Sequence, residues 1–188
     1  MASVRTFIAF DTPEPIRKEM SVLQAELKKA NADVKWEPED KFHATIKFLG
    51  DIEEKLLSSV LTKIESIVLK HAAFGVMYQA VGSFPNNRNP RVIWIGCENN
   101  DGKLDLLKTA LDVELLSFGF EIEKRPFHPH ITLGRVKSLK GMENLTPMLE
   151  KLTFEKRTAT IMEILVMKSV LRPEGSEYST LKVIKLQS

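Results

Sequence analysis

The sequence has one cysteine, no long apolar run, no marked excess of either charge and no low-complexity tract, and each of these shortages excludes something. A single cysteine, Cys97, rules out an intramolecular disulfide and a cysteine zinc site. It follows the apolar run Val92 to Gly96 as a small core residue would, and a chain so poor in cysteine suits a reducing compartment. No segment approaches the ~18 apolar residues of a membrane span, and the opening Met-Ala-Ser-Val-Arg-Thr-Phe-Ile-Ala-Phe-Asp11 carries too short an apolar run for a signal peptide. The expectation is a cytoplasmic protein without a membrane partner. Lys and Arg number 27 against 25 Asp and Glu, a net charge of +2, which permits an anionic substrate without the broad cationic surface of a nonspecific nucleic-acid binder. No linker rich in Pro, Gly and Ser interrupts the chain. Its 188 residues, 43% hydrophobic, therefore read as one domain, 1–188, built of two closely packed lobes.

What is present is an alternation of helical and extended patterns. Phe7 to Phe10 reads as a strand, followed by a helix carrying Ile16, Met20, Leu23 and Leu27. Strands at Val34 to Trp36 and Phe42 to Phe48 precede a second helix marked by Leu56, Leu57, Val60, Leu61, Ile64, Ile67 and Val68. Strands follow at Val76 to Ala80 and Val92 to Ile95. A third helix carries Leu104, Leu107, Leu111 and Leu115, with Gly119 as its C-terminal cap. His130 to Val136, Thr160 to Val170 and Tyr178 to Leu186 read as strands, with a short helix around Met142 to Leu152. The fold class is α+β.

Within this frame, Lys41-Phe-His-Ala-Thr-Ile-Lys-Phe-Leu-Gly50 sets a histidine and a threonine two residues apart. In a strand, residues i and i+2 share a face, so strict alternation puts His43, Thr45 and Lys47 on one side and Phe42, Ala44, Ile46 and Phe48 on the other. A strand with one wet face would look the same. The arrangement recurs, however, in Phe127-His-Pro-His-Ile-Thr-Leu-Gly-Arg135, with His130 and Thr132 on one face and Ile131 and Leu133 on the other. With only four histidines in the chain, coincidence explains two such pairs poorly. An internally duplicated protein with two lobes about a pseudo-twofold axis would bring His43 and His130 face to face across a cleft.

Two facing imidazoles suit displacement at phosphorus. Near neutral pH one ring can accept a proton while the other donates one, and in-line displacement needs that pair at the entering and leaving oxygens. Thr45 and Thr132 can donate hydrogen bonds to nonbridging oxygens, and Arg135 or Lys47 can offset developing charge. The scheme needs no metal or other cofactor. A metal site of His43, His128 and His130 is the competing reading of the same residues, but no carboxylate lies at ligand spacing and Pro129 disturbs the alternation. His71 reads as a helix C-terminal residue, and Trp36 and Trp94 as core. Phe84, in the Gly82 to Pro90 loop, and Arg88 and Arg91, which flank it, are candidate RNA contacts alongside Lys47.

The chain resembles the two-histidine phosphoesterase superfamily, and within it the RNA 2′,3′-cyclic phosphodiesterases, historically called 2′-5′ RNA ligases. The resemblance runs nearly end to end. It rests on Arg-Thr-Phe-Ile-Ala-Phe-Asp11, Trp36, His43-Ala-Thr-Ile with Lys-Phe-Leu-Gly50, Gly82-Ser-Phe-Pro, Pro90-Arg-Val-Ile-Trp-Ile-Gly96, His130-Ile-Thr-Leu with Gly134-Arg135, and Leu171-Arg-Pro-Glu-Gly with Tyr178. Ala44 is smaller than the branched residue expected there. The resemblance implies a bilobal fold with two antiparallel sheets lining a concave cleft, helices outside, and no metal. It implies His43 as proton donor and His130 as proton acceptor, with Thr45, Thr132 and Arg135 holding phosphate. The implied partner is RNA or an oligonucleotide ending in a 2′,3′-cyclic phosphate, opened to a 2′-phosphomonoester; the separate expectation is a monomer without a protein partner. Weak 2′-5′ ligation would follow from the same chemistry. A binding module that keeps the cleft but does not turn over is the alternative.

Overall fold

The computed structural model describes residues 2–173 and 175–188. Glu174, in the Leu171 to Gly175 motif, lies outside the described residues. The strands are β1 (Ser3–Asp11), β2 (Val34–Trp36), β3 (His43–Glu53), β4 (Phe74–Phe84), β5 (Val92–Glu98), β6 (His130–Val136), β7 (Arg157–Ile161), β8 (Glu163–Arg172) and β9 (Gly175–Lys185). The helices are α1 (Glu14–Lys28), α2 (Glu54–Val68), α3 (Lys103–Glu114) and α4 (Met142–Lys151).

All strand pairings are antiparallel, in the order β7-β4-β5-β6-β3-β1-β8-β9, with β2 on β6. The order divides into two lobes. β7, β4, β5, β6 and β2 form one sheet; β3, β1, β8 and β9 form the other. They are joined by a single residue pair, Ala44 opposite Ile131. The bilobal α+β architecture expected from the sequence is thus present, its two sheets fused at one point.

The helices form where apolar residues recur at helical spacing, and each buries that stripe. α1 buries Ile16, Met20, Leu23 and Leu27, and α2 buries Val60, Ile64, Ile67 and Val68. α3 buries Leu104, Leu107 and Leu111, then tightens into a 3-10 turn that Gly119 closes at φ 83°. With the apolar sheet faces they make one continuous core. No helix is long and apolar enough to cross a membrane among the described residues.

Two expectations need correction. The strand read as Thr160 to Val170 is two strands, broken at the exposed Met162: β7 pairs with β4 in one lobe and β8 with β1 in the other. The chain changes lobes there, which an uninterrupted extended pattern does not reveal. β4 also runs on to Phe84, through residues read as a loop. Ala80, at φ 60°, is an extra residue in its ladder with β5. Beyond it Gly82 is needed because a Cβ there would lie 2.5 Å from the Trp94 ring.

Candidate active site

The junction between the lobes is where the two motifs meet. β3 begins at His43 and β6 at His130, and the Ala44–Ile131 pair lies one residue inside each. In an antiparallel pair the neighbours of such a couple face each other, so His43 lies toward Thr132 and Thr45 toward His130, all four on one face. Ala44 and Ile131 point the other way and are fully buried. The small Ala44 thus sits at the one ladder pair that joins the two sheets among the described residues.

Beyond the threonines both strands carry a bulge, at corresponding places. In β3, Thr45 pairs with Ala9 and Lys47 with Ile8, leaving Ile46 extra. In β6, Thr132 pairs with Trp94 and Gly134 with Ile93, leaving Leu133 extra. Each bulge reverses the alternation, as extra residues in a ladder do. Phe48 and Arg135, each five residues after its histidine, are thereby turned onto the histidine face. Gly134 serves a second purpose. A Cβ there would come within 2.7 Å of Val34 and 2.8 Å of the Trp36 ring, so glycine lets β2 lie across β6 and bring Glu37 toward Arg135.

The resulting cavity, about 80 Å³, is lined by His43, Thr45, His130, Thr132 and Arg135 together with Phe7, Glu37, Lys41, Phe48 and Tyr178. It is of a size for a phosphoryl group. His43 stacks on Phe7 at 5.2 Å and meets the edge of Tyr178 at 5.2 Å, with no hydrogen bond to its ring among the described residues. Burial without a partner pushes its pKa down to about 4. His130 is held differently. Its Nδ1 lies 2.7 Å from the His128 carbonyl oxygen; since a carbonyl only accepts, Nδ1 carries the hydrogen and the neutral ring's lone pair is on Nε2. Burial lowers the His130 pKa, the carbonyl bond opposes it, and the nearby Arg135 and His128 charges lower it further. Phe84 meets the ring edge-on at 5.0 Å. Arg135 is half exposed and 3.5 Å from Glu37. The Thr45 and Thr132 hydroxyls donate to no protein group among the described residues, so both are available to a ligand.

Lys47 is where strict alternation fails. The Ile46 bulge turns it away from His43 into the protein, 2% exposed, with its Nζ 2.6 Å from Asp112 on α3 and 2.9 Å from the Glu121 carbonyl. It is not positioned to contact RNA. Phe48, expected in the core, is instead 60% exposed in the cleft. Phe84, expected in a loop, ends β4 beside His130. Arg91 is exposed on the β4–β5 connection and does not line the cavity. Trp94 pairs with Thr132 and so lies on the cleft face, its ring 5.2 Å from Phe84. Phe7, Glu37, Lys41, Phe48 and Tyr178 were not among the predicted site residues. Phe7, Phe48 and Tyr178 fall in stretches that carry the resemblance, but only tertiary pairing gives these residues a place in the site, since β1 is apolar on both faces. The His43, His128 and His130 ligand set does not assemble: His128 is exposed, and no group of His, Cys, Asp or Glu able to hold a metal occurs among the described residues.

Two antiparallel sheets joined at one ladder pair, with a His-x-Thr strand from each lining the cleft, define a phosphoesterase of the two-histidine class. The family model described as LigT-like phosphoesterase matches twice in succession, over residues 10–94 and 95–178, so that each match holds one motif. The chain belongs to the LigT-like phosphoesterase family. It is 34% identical over 184 residues to a protein of Methanothermobacter thermautotrophicus named RNA 2′,3′-cyclic phosphodiesterase, covering 97% of this chain and 99% of that one. It is 32% identical to the protein of that name from Thermotoga maritima, covering 95% and 93%. The fold matches that of Escherichia coli LigT complexed with 3′-AMP, with TM-score 0.78 and 24% identity over the whole of both chains. It also matches TT0787 of Thermus thermophilus, with TM-score 0.82 and 23% identity over 98% of each.

Proposed function

We propose that the protein hydrolyses 2′,3′-cyclic phosphate ends of RNA to 2′-phosphomonoesters, with His130 as proton acceptor and His43 as proton donor. The observation that carries the assignment is the difference between the two rings. His130 is fixed by the His128 carbonyl with its Nε2 lone pair free, as a base must be. Water attacks phosphorus and gives its proton to that nitrogen. The P–O3′ bond breaks, and O3′ leaves with a proton from His43. A 5′-hydroxyl in place of water gives a 2′-5′ linkage by the same steps. Thr45, Thr132 and Arg135 hold the nonbridging oxygens. One chain supplies every group, so a monomer suffices.

In the free protein His43 is neutral at pH 7, since its pKa is about 4. The substrate supplies what is missing. A phosphate anion about 4 Å from the ring is worth roughly 4 kcal/mol at an effective dielectric of 20, about three pKa units, which brings His43 into the neutral range. Binding and protonation are thus one event. Calorimetric titration with a 3′-phosphorylated nucleotide near pH 7, in buffers of different ionisation enthalpy, should show uptake of about half a proton per phosphate bound, because a ring raised to about 7 is half protonated there. No uptake would remove His43 from the role of donor.

The decisive assay is incubation of the purified protein with a 2′,3′-cyclic-phosphate oligonucleotide in excess chelator. The expected product is the 2′-phosphomonoester, at a rate the chelator leaves unchanged. Binding without conversion would show a module that does not turn over. Activity restored only by a divalent ion would show metal chemistry instead. Thr45→Val and Thr132→Val remove a hydroxyl and keep both proton carriers, so each should slow turnover, by about 100- to 1000-fold if the hydroxyl acts as an oxyanion-hole donor does.

A further inference from the structure

The cleft does not end at the catalytic cavity. It widens between the lobes into a groove of about 500 Å³ that shares Phe48 and Arg135 with the cavity. Five cations line it, Arg5, Lys35, Arg135, Lys137 and Arg172, against the single described carboxylate of Glu37. The whole chain carries only +2, so this charge is gathered and not a sample of the average surface. Past His43 the cleft opens on a space of opposite character, where Asp40 and Glu177 face one ammonium, Lys41.

The cations come from both lobes. Arg5 is on β1, on the face of Phe7; Lys35 is on β2, Arg135 on β6 and Lys137 just after it; Arg172 ends β8 and is partly neutralised by Glu177 at 3.2 Å. Lys35 reaches across the groove. A Cβ on Gly175, at the tip of the β8–β9 hairpin, would lie 2.7 Å from its Nζ. Arg5, Lys35 and Lys137 form no ion pair among the described residues. At the boundary with the cavity stands Phe48, turned out by the bulge at Ile46 and 60% exposed, an aromatic face beside cations. Cationic grooves with exposed aromatics are how single strands are held, phosphates on the charges and bases on the rings.

We infer that this groove binds the RNA chain upstream of its cyclic end, with the preceding phosphodiesters on Arg5, Lys35 and Lys137 and a base on Phe48. The protein is then selective for oligonucleotides over 2′,3′-cyclic mononucleotides, and the chain leaves on the Arg135 side because the Asp40 and Glu177 side repels it. This rests on the proposed hydrolysis for its substrate class.

The test compares a 2′,3′-cyclic mononucleotide with a trinucleotide ending in the same nucleotide. The trinucleotide should have the higher kcat/KM, at least tenfold at low salt. Its log kcat/KM should also fall more steeply with log salt, by about 0.7 for each added phosphate contact. Arg5→Gln and Lys137→Gln together should remove most of that advantage through KM and leave mononucleotide hydrolysis within twofold. Equal kcat/KM for the two substrates, or equal losses in both, would overturn the groove. Binding of the 3′-phosphorylated mono- and trinucleotide by calorimetry answers the same question without turnover. If neither cyclic substrate is hydrolysed but the trinucleotide binds more tightly in an Arg5- and Lys137-dependent way, the catalytic reading fails and the groove stands.

Discussion

His130→Ala and His43→Ala should each lower kcat by 10²- to 10⁴-fold, the usual worth of a positioned general acid or base. Neither substitution should unfold the protein, because both rings are only half buried and line a cavity. His71→Ala, in the turn after α2 and outside that cavity, should leave kcat unchanged. The two losses should not be alike in binding. Removing His43 deletes the group that becomes cationic against phosphate, so affinity for a 3′-phosphorylated nucleotide should fall. Removing His130 deletes a base and should weaken binding little. Steady-state kinetics with calorimetry checks both. Near-normal turnover in His43→Ala with the fold intact would end the paired-histidine account.

Asp112→Asn should cost roughly 3–5 kcal/mol of stability, the range for breaking a buried ion pair by removing one partner. Asp112 is 7% exposed and accepts from both Lys47, 2% exposed, and Lys108, 6% exposed; the substitution leaves two buried ammonium groups without their shared carboxylate. Burial tends to raise the Asp112 pKa, but the bonds from the two lysines outweigh it and hold it below the usual carboxylate range. Its contribution is therefore present at neutral pH and lost as pH falls through that lowered value. The network also ties β3 to the segment entering β6. Lys47 donates to the Glu121 carbonyl, and Lys108 lies 3.7 Å from Glu123 and 5.7 Å from the centre of the Phe127 ring. Urea unfolding should show a lower midpoint at unchanged slope. A loss under about 1 kcal/mol would mean that the lysines are solvated.

The fate of Lys47 shows how far the sequence can be read. Period-2 alternation correctly put His43 with Thr45 and His130 with Thr132, because both pairs precede the bulges. It fails at Lys47 and Phe48, which exchange faces, since a bulge has no compositional mark in Ile46-Lys or Leu133-Gly. Arg135 reaches the cavity only because of such a bulge. The helices were legible because their apolar stripes are long and bury one side. The lobe change at Met162 was not, because extended pattern carries no record of which strand is the partner. Phe7 and Tyr178, which enclose His43, belong to β1 and β9. Their approach to the ring is a fact of sheet order, the part of the fold that local pattern does not hold.

The central claim is that the two rings exchange protons with the substrate, and the pH dependence of kcat/KM and kcat on one cyclic substrate tests it most directly. Both histidine pKa values lie below the ordinary 6.5 in the free protein, so kcat/KM should pass through a maximum on the acid side of that value. Bound phosphate raises both, so the maximum in kcat should lie at higher pH. The two bells should be displaced from one another, with limbs that belong to the coupled pair. Profiles that are flat from acid to neutral pH, measured where chemistry limits turnover, would contradict the account and leave the twin motifs as a phosphate-binding site alone.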